Sequence, residues 1–245
     1  MDKTLYELEN HVKQSHWWFV GRRRLFSRLI HSLKLDYASS ILDVGCSTGT
    51  NLRMLTNSGF LNVIGFDRNP LTLNYVAAED CASLVIGDVC ELPFDDQSFS
   101  LILATDIIEH VDDDKRAVEE MFRVLKTGGF MLISVPTFRS LWGPQDNLSH
   151  HKRRYRLAEL LAILNRDDSE ILSSFYFNFL LFIPILIVRK FLNLMQMNFR
   201  SENEINTVFV NKLLTKIFYL DVDLAPFLPI PFGVSALVLL RKKNS

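Results

Sequence analysis

Ser40-Ile41-Leu42-Asp43-Val44-Gly45-Cys46-Ser47-Thr48-Gly49-Thr50-Asn51 reads as a short apolar strand, a glycine turn and the opening of a helix. Small residues stand where the chain has to turn sharply and let a ligand come close to the backbone. The helix that follows offers unpaired N–H groups and a partial positive charge to an anionic group. A dinucleotide fingerprint wants glycine at positions 45, 47 and 50. Here Gly45 fits, but Ser47 and Thr50 stand at the other two, and the second glycine is Gly49. That spacing speaks against a pyrophosphate ligand and for a different nucleoside cofactor.

Downstream, the alternation of strands and helices continues. Leu52 to Ser58 completes a helix that stops near Gly59, and Asn62-Val63-Ile64-Gly65-Phe66-Asp67 reads as a second strand ending in an acid. Ligands of a doubly wound sheet gather at carboxyl ends of strands, and a carboxylate there can accept hydrogen bonds from two ribose hydroxyls. A third strand, Ala82 to Ile86, runs out at Gly87-Asp88-Val89, and Leu101-Ile102-Leu103-Ala104 has the unbroken apolar pattern of a central parallel strand. Asp112-Asp113-Asp114 caps a helix from about Lys115, with an apolar stripe through Val118, Met121, Phe122 and Leu125. Lys126-Thr127-Gly128-Gly129 is read as its stop and Phe130 to Pro136 as the fifth strand.

Leu42-Asp43-Val44-Gly45-Cys46-Ser47-Thr48-Gly49 resembles the first motif of class I S-adenosylmethionine (SAM)-dependent methyltransferases, of the type 11 or type 23 kind. The order of elements from Ser40 to Pro136 resembles that family too. The family commonly has a third glycine where this chain has Ser47. The resemblance implies an α/β fold, a Rossmann-like seven-stranded, mostly parallel sheet with helices on both faces and a helical cap. It implies SAM as cofactor, held by Asp43, Gly45, Cys46, Gly49, Asp67, Arg68, Asp88, Val89 and Thr105. In it Asp43 organises the methionine end, Asp67 the ribose, and Asp88 with Val89 the adenine.

Outside that core the readings branch. The N-terminal residues, from Tyr6 to Phe19 and on to Leu33, have helical spacing, and His16-Trp17-Trp18-Phe19-Val20-Gly21-Arg22-Arg23-Arg24 is dense in aromatic and basic groups. It is either a helix docking its tryptophans on the core or a lid that excludes water from a cofactor. Glu109 and His110 follow the fourth strand, where a carboxyl or imidazole can act as a general base, or can simply orient a loop and pack. Trp142 to Arg156 reads as a basic loop leading into a helix at Leu157. Its His150, His151, Lys152, Arg153, Arg154, Tyr155 and Arg156 suit a phosphate, carboxylate or sugar acid, or a solvated turn with Tyr155 packed inward.

From these, Glu109, His110 and His151 are the candidate catalytic residues. Trp18, Arg22, His150, His151, Arg154 and Tyr155 are the candidate substrate contacts, and no metal site is expected.

Ser169 to Phe177 is a sixth strand, and Phe179 to Val188, ended by Arg189-Lys190, is the strongest apolar run. A membrane span needs about 20 predominantly apolar residues, so this run is a cap, a homodimer surface or an interfacial helix. Asn206 to Tyr219 is another striped helix, and Val234 to Leu240 a closing strand.

With 245 residues, 48% hydrophobic and 22% charged, the chain suits one domain with a sizeable core. The divisions expected are a lid over 1–38, a SAM-binding core over 40–136 and a substrate-facing region over 137–245, with a helical cap at about 178–220. A net charge of −1 and the absence of a basic stripe disfavour nucleic acid as partner. Cys46, Cys81 and Cys90 have neither metal-ligand spacing nor disulfide density, and the polar start shows no secretory signal. Both point to the cytoplasm, with a peripheral membrane contact through 179–188 as the other expectation. The function expected is methyl transfer from SAM to an O or N, less readily a C, of a small-molecule, glycan-precursor or lipid-like acceptor. The alternatives are a nucleotide-dependent oxidoreductase and a non-catalytic SAM-binding protein.

Overall fold

Seven strands lie in one sheet: β1 Ser40–Val44, β2 Asn62–Asp67, β3 Ser83–Ile86, β4 Phe99–Thr105, β5 Leu125–Pro136, β6 Ser169–Phe177 and β7 Ser235–Lys242. The structure is a computed structural model that describes residues 12–76, 83–194 and 207–243, together with Glu7 and Asn10. The expected helix start at Tyr6, the strand start at Ala82, the helix start at Asn206, and Cys81 lie outside the described residues.

The strand order is β3-β2-β1-β4-β5-β7-β6, with β7 antiparallel to both neighbours and every other pairing parallel. The order reverses between β1 and β4, so the loops leaving these two strands diverge at the carboxyl edge and open a crevice there. Ile102, Leu103 and Ala104 are wholly buried, as a central strand covered on both faces requires.

Helices α1 Trp17–Ser32 and α2 Thr50–Asn57 cover part of one face, while α3 Asp114–Val124 and α5 Leu157–Leu164 pack on the other. Asp113 caps α3 by accepting a hydrogen bond from the Arg116 amide at 3.0 Å. Above the carboxyl edge lie the short α4 Pro144–Leu148 and the cap helix α6 Phe182–Leu194; α7 Val208–Leu224 lies against α1. The tryptophans of α1 dock on that pair: Trp18 stacks on Phe218 at 5.4 Å and Trp17 meets the same ring edge-on at 5.3 Å. Gly21 lets α1 and α7 approach this closely, since a Cβ there would lie 2.1 Å from the Phe218 ring.

Three boundaries differ from the sequence reading. Lys126 to Gly129 does not end a helix: α3 stops at Val124 and Leu125 is already paired with Phe99. The four residues after it bulge out, with Gly128 at φ +78°, and the ladder resumes at Leu101–Phe130. The basic loop contains α4, five residues begun by Pro144 at its first helical position, too short to show a period. The helix that holds the apolar run continues past Arg189-Lys190 to Leu194, with Pro184 in its first turn, where its missing N–H costs nothing.

Candidate active site at the carboxyl edge

Positive backbone angles shape the first loop. Gly45 has φ +74° and Gly49 has φ +76°, and a Cβ on Gly45 would lie 2.6 Å from Ile107. Ser47 has φ +46°, so this chain keeps a left-handed turn at the position where glycine is the easier residue. Asp67, at the end of β2, holds that turn: its two oxygens accept the Ser47 amide and the Asn69 amide, each at 2.8 Å. The Gly45 amide donates to the Phe66 carbonyl at 2.7 Å, which stitches β1 and β2 together below the loop.

The loop opens into a cavity of about 1170 Å³. Gly45, Cys46, Asp67, Arg68, Asp88, Val89 and Thr105 line it, which gathers most of the expected cofactor residues on one wall. Ser47, Thr50, Asn51 and Asp106 line it as well and were not among the expected cofactor residues. Asp43 and Gly49 stand behind the wall. Asp43 is fully buried, and its Oδ1 accepts Asn51 Nδ2 at 3.1 Å, the same amide nitrogen that donates to Thr105 Oγ1 at 3.0 Å.

Burial, and secondarily the charge of Asp67, pushes the Asp43 carboxyl up to about 7, against the hydrogen bond from Asn51. The acid is neutral in both states below about pH 4; above that the unfolded chain ionises first, so the stability Asp43 contributes is lost as pH rises through about 7. Asp43→Asn has no proton to lose. Its melting temperature relative to the parent should therefore rise by roughly 5 °C between pH 5 and pH 8 in thermal melts of the free protein. A pH-independent difference would mean that Asp43 ionises like an exposed acid.

The opposite wall comes from the N-terminal helix and the segments after β4 and β5. Trp18 and Arg22 both line the cavity. Arg22 reaches across it to Asp106 at 2.9 Å, with its guanidinium 5.3 Å above the Trp18 ring. Lys13 reaches the Thr48 carbonyl of the glycine turn, so the N-terminal segment is tied to both loops at the switch point. Its tryptophans dock against Phe218, and Trp18, Arg22 and Arg23 also line the cavity.

His110, His150 and His151 also line the cavity. Burial, then the nearby His151, pushes His110 down to about 3. The Glu109 carboxyl is fully buried behind His110 and does not reach the cavity surface; burial and the neighbouring Asp106 raise it well above the usual carboxylate range.

The basic run is largely spoken for. Lys152 pairs with Asp112, and Arg153 with Asp114 at 2.7 Å, both at the start of α3. Arg154 lines the cavity but forks onto Asp146, with Nε 2.8 Å from Oδ1 and Nη2 3.0 Å from Oδ2. Tyr155, expected as a substrate contact, is not one of the cavity residues. It is buried, donates its hydroxyl to Asp114 at 2.7 Å, and is raised first by burial and then by that bond. Its spacing after the arginines points it inward, and that was the alternative the sequence left open.

Asp146 is the residue that sequence reasoning missed. Fully buried, it accepts His151 Nδ1 at 2.8 Å and the Gly143 amide at 2.8 Å besides the Arg154 fork. Burial pushes it up, but the bonds from His151 and Arg154 outweigh that and hold it ionised, well below the usual range.

Buried polar atoms without a partner mark where a ligand fits. Asp43 Oδ2, Thr50 Oγ1 and Arg22 Nε have none among the described residues; Asp43 and Thr50 belong to or border the glycine-turn wall, and Arg22 lines the opposite one. With the cradle that Gly45 leaves open, this donor and acceptor set suits a nucleoside carrying an amino acid portion.

The methyltransferase-domain family model matches residues 42–133, which are β1 through most of β5. A probable S-adenosylmethionine-dependent methyltransferase of Mycolicibacterium smegmatis is 28% identical over 163 residues, covering 65% of this chain and 62% of that protein. A demethylmenaquinone methyltransferase of Renibacterium salmoninarum is 30% identical over 156 residues, covering 61% and 62%. The chain thus spans about three fifths of the length of these curated relatives. Among solved structures, a SAM-dependent methyltransferase of Thermotoga maritima superposes with a TM-score of 0.59 at 18% identity, over 99% of this chain and 100% of that one. That family uses SAM as its methyl donor, and residues 42–133, with their motif and strand order, are similar to its methyltransferase domain.

Proposed function

We propose that the protein transfers a methyl group from SAM to an oxygen or nitrogen of a small-molecule, glycan-precursor or lipid-like acceptor. The observation that carries this reading is the continuity of the cavity: the residues suited to a nucleoside and the residues of the lid and cap line one space of about 1170 Å³. A pocket for a single small ligand is about 300–1,000 Å³, so a second molecule has room beside the first. The cofactor supplies an activated methyl group on a sulfonium.

The chain's own part is alignment and water exclusion. Gly45 leaves the approach free, Asp67 and Asp88 offer charged acceptors to hydroxyl and amino groups, and Asp43 stands at the end suited to an ammonium. The lid of Trp18 and Arg22, latched to Asp106, keeps water from the acceptor.

An apolar acceptor is supported by the cap. Leu181, Pro184, Ile185 and Val188 of the α6 region line the cavity, while Ile183, Ile187 and Phe191 of the same helix are exposed. No described helix is long and apolar enough to cross a membrane. The same exposed side chains suit peripheral contact with a lipid surface.

Two measurements test the reading. SAM should bind in calorimetry while NADH produces no thermal shift; the reverse would favour the oxidoreductase. Radiolabelled SAM incubated with separate lipid, glycan and small-metabolite pools should label one of them. SAM bound with no pool labelled would favour a non-catalytic SAM-binding protein.

A further inference from the structure

Glu109, His110 and His151 each offer one ligand atom, and these atoms all lie within 4.8 Å of one another. Glu109 and His110 belong to the single turn Ile108–His110 that follows β4, and His151 to the segment after α4. The two segments are stitched together by the Lys152 amide donating to the Glu109 carbonyl at 2.8 Å, which fixes their spacing. The Glu109 carboxyl is wholly buried, and neither oxygen accepts a hydrogen bond from another of the described residues. A buried carboxyl with no partner is costly unless something supplies one.

The imidazoles are oriented as ligands are. His151 donates Nδ1 to Asp146 at 2.8 Å, which leaves Nε2 with its lone pair. Asp146 is itself fixed by the Arg154 fork, so the carboxylate–histidine pair is rigid. The His110 ring has the backbone carbonyls of Ser149 and His150 beside it as acceptors for its own N–H. Its centroid lies 4.6 Å from that of His151, at 82°. A carboxylate or carbonyl behind each metal-bound imidazole is the usual outer support of such a site.

We propose that Glu109, His110 and His151 bind one divalent transition-metal ion, Zn²⁺ by the chemistry of the set. Two imidazoles and one carboxylate are nitrogen and oxygen donors of the kind Zn²⁺ takes, at about 2.0–2.2 Å. Ligand atoms around such an ion stand roughly 3.3 Å apart, so side-chain shifts on the order of an ångström close the set. Three protein ligands leave a coordination position open, and His110 and His151 line the cavity, so that position faces it. A dication with one carboxylate and two neutral imidazoles leaves the set with a net positive charge of one, and Asp146 and Asp106 offset the nearby Arg154 and Arg22. An oxygen of the acceptor, as an alcohol, phenol or enol, is the ligand class that fits the open position. This last step rests on the methyl-transfer reading; the ion site itself does not.

The test uses the full chain, stripped by chelator and dialysed. Zn²⁺ is titrated against a chromophoric competitor, and Co²⁺ serves as a visible-absorption probe. One equivalent is expected, bound at micromolar concentration or tighter. His110→Ala and His151→Ala should each weaken Zn²⁺ at least ~100-fold, and Asp146→Asn roughly 10–100-fold, with folding followed by circular dichroism. Glu109→Gln, which keeps the shape, serves where an alanine variant does not fold.

His31→Ala, on the exposed side of α1, should change nothing. Substoichiometric binding, or equal Zn²⁺ affinity in the parent and both histidine variants, would overturn the site. SAM calorimetry separates the two readings. SAM bound without Zn²⁺ removes the ion site alone; Zn²⁺ bound without SAM removes the acceptor's role and leaves the ion site standing.

Discussion

Asp146→Ala is expected to lower the melting temperature by on the order of 10 °C and to abolish methyl transfer. The carboxylate sits at 0% exposure and its partner Arg154 at 3%, so the substitution takes from a buried guanidinium the carboxylate that two of its nitrogens meet. Removing one member of a buried pair costs about 3–5 kcal/mol, because the survivor's desolvation is no longer offset. Further groups lose their anchor: His151 Nδ1, the Gly143 amide at the start of α4, and Arg189, whose Nη1 lies 3.8 Å from the carboxylate. Thus the cavity wall loses the orientation of an imidazole together with the helix that carries it.

Asp146→Asn should fall between. It keeps an acceptor oxygen for His151 or Arg154 but not the charge, and its amide meets the remaining donors unfavourably. Thermal melts of the three proteins check the order. A shift under 2 °C for the alanine variant would mean that solvent reaches Arg154 and the network contributes little to stability.

The half of the site nearest the N-terminus could be read from residues close in the chain. Gly45 and Gly49 announce their backbone angles by lacking a side chain, and Asp67 and Asp88 announce strand ends by following apolar runs. Each depends on contacts made within one strand–helix unit, so local pattern carries the information. The other half depends on pairings across the chain. Arg22 meets Asp106 and Arg154 meets Asp146, and no spacing rule tells which acid a given arginine will choose.

Tyr155 shows the same limit. A tyrosine after three basic residues suits a ligand as well as a core, and only the position of Asp114 on α3 decides between them. The bulge at Gly128-Gly129 was misread because a double glycine after an amphipathic helix is the usual stop signal, whereas here the helix ends at Val124, four residues before the first of them. The aromatic and basic density of α1 was legible in composition alone. Where α1 lands, and that Gly21 exists to admit Phe218, needed the second helix of the pair.

Asp67→Ala should weaken SAM binding at least tenfold, and up to about a thousandfold. The carboxylate already accepts two backbone amides at 2.8 Å, one of them from Ser47 in its left-handed conformation. An ionised carboxyl offers about four lone-pair sites, more than these two amides use, which suits it to meet hydroxyls of a ligand in the cavity that Asp67 lines. Hydrogen bonds to a charged acceptor contribute about 1.5–3 kcal/mol each. Losing two gives the upper end of the range; losing one, with water filling in, gives the lower.

The alanine also releases Ser47, whose φ of +46° is held by that bond, so the turn relaxes and the cradle beside Gly45 closes. Both effects act on the ligand more than on the fold, because Asp67 stands at the edge of the core and not within it. The signature is therefore a large loss of affinity in calorimetry with a melting temperature within about 3 °C of the parent. Unchanged affinity would take Asp67, and with it the ribose end of the cavity, out of the cofactor site.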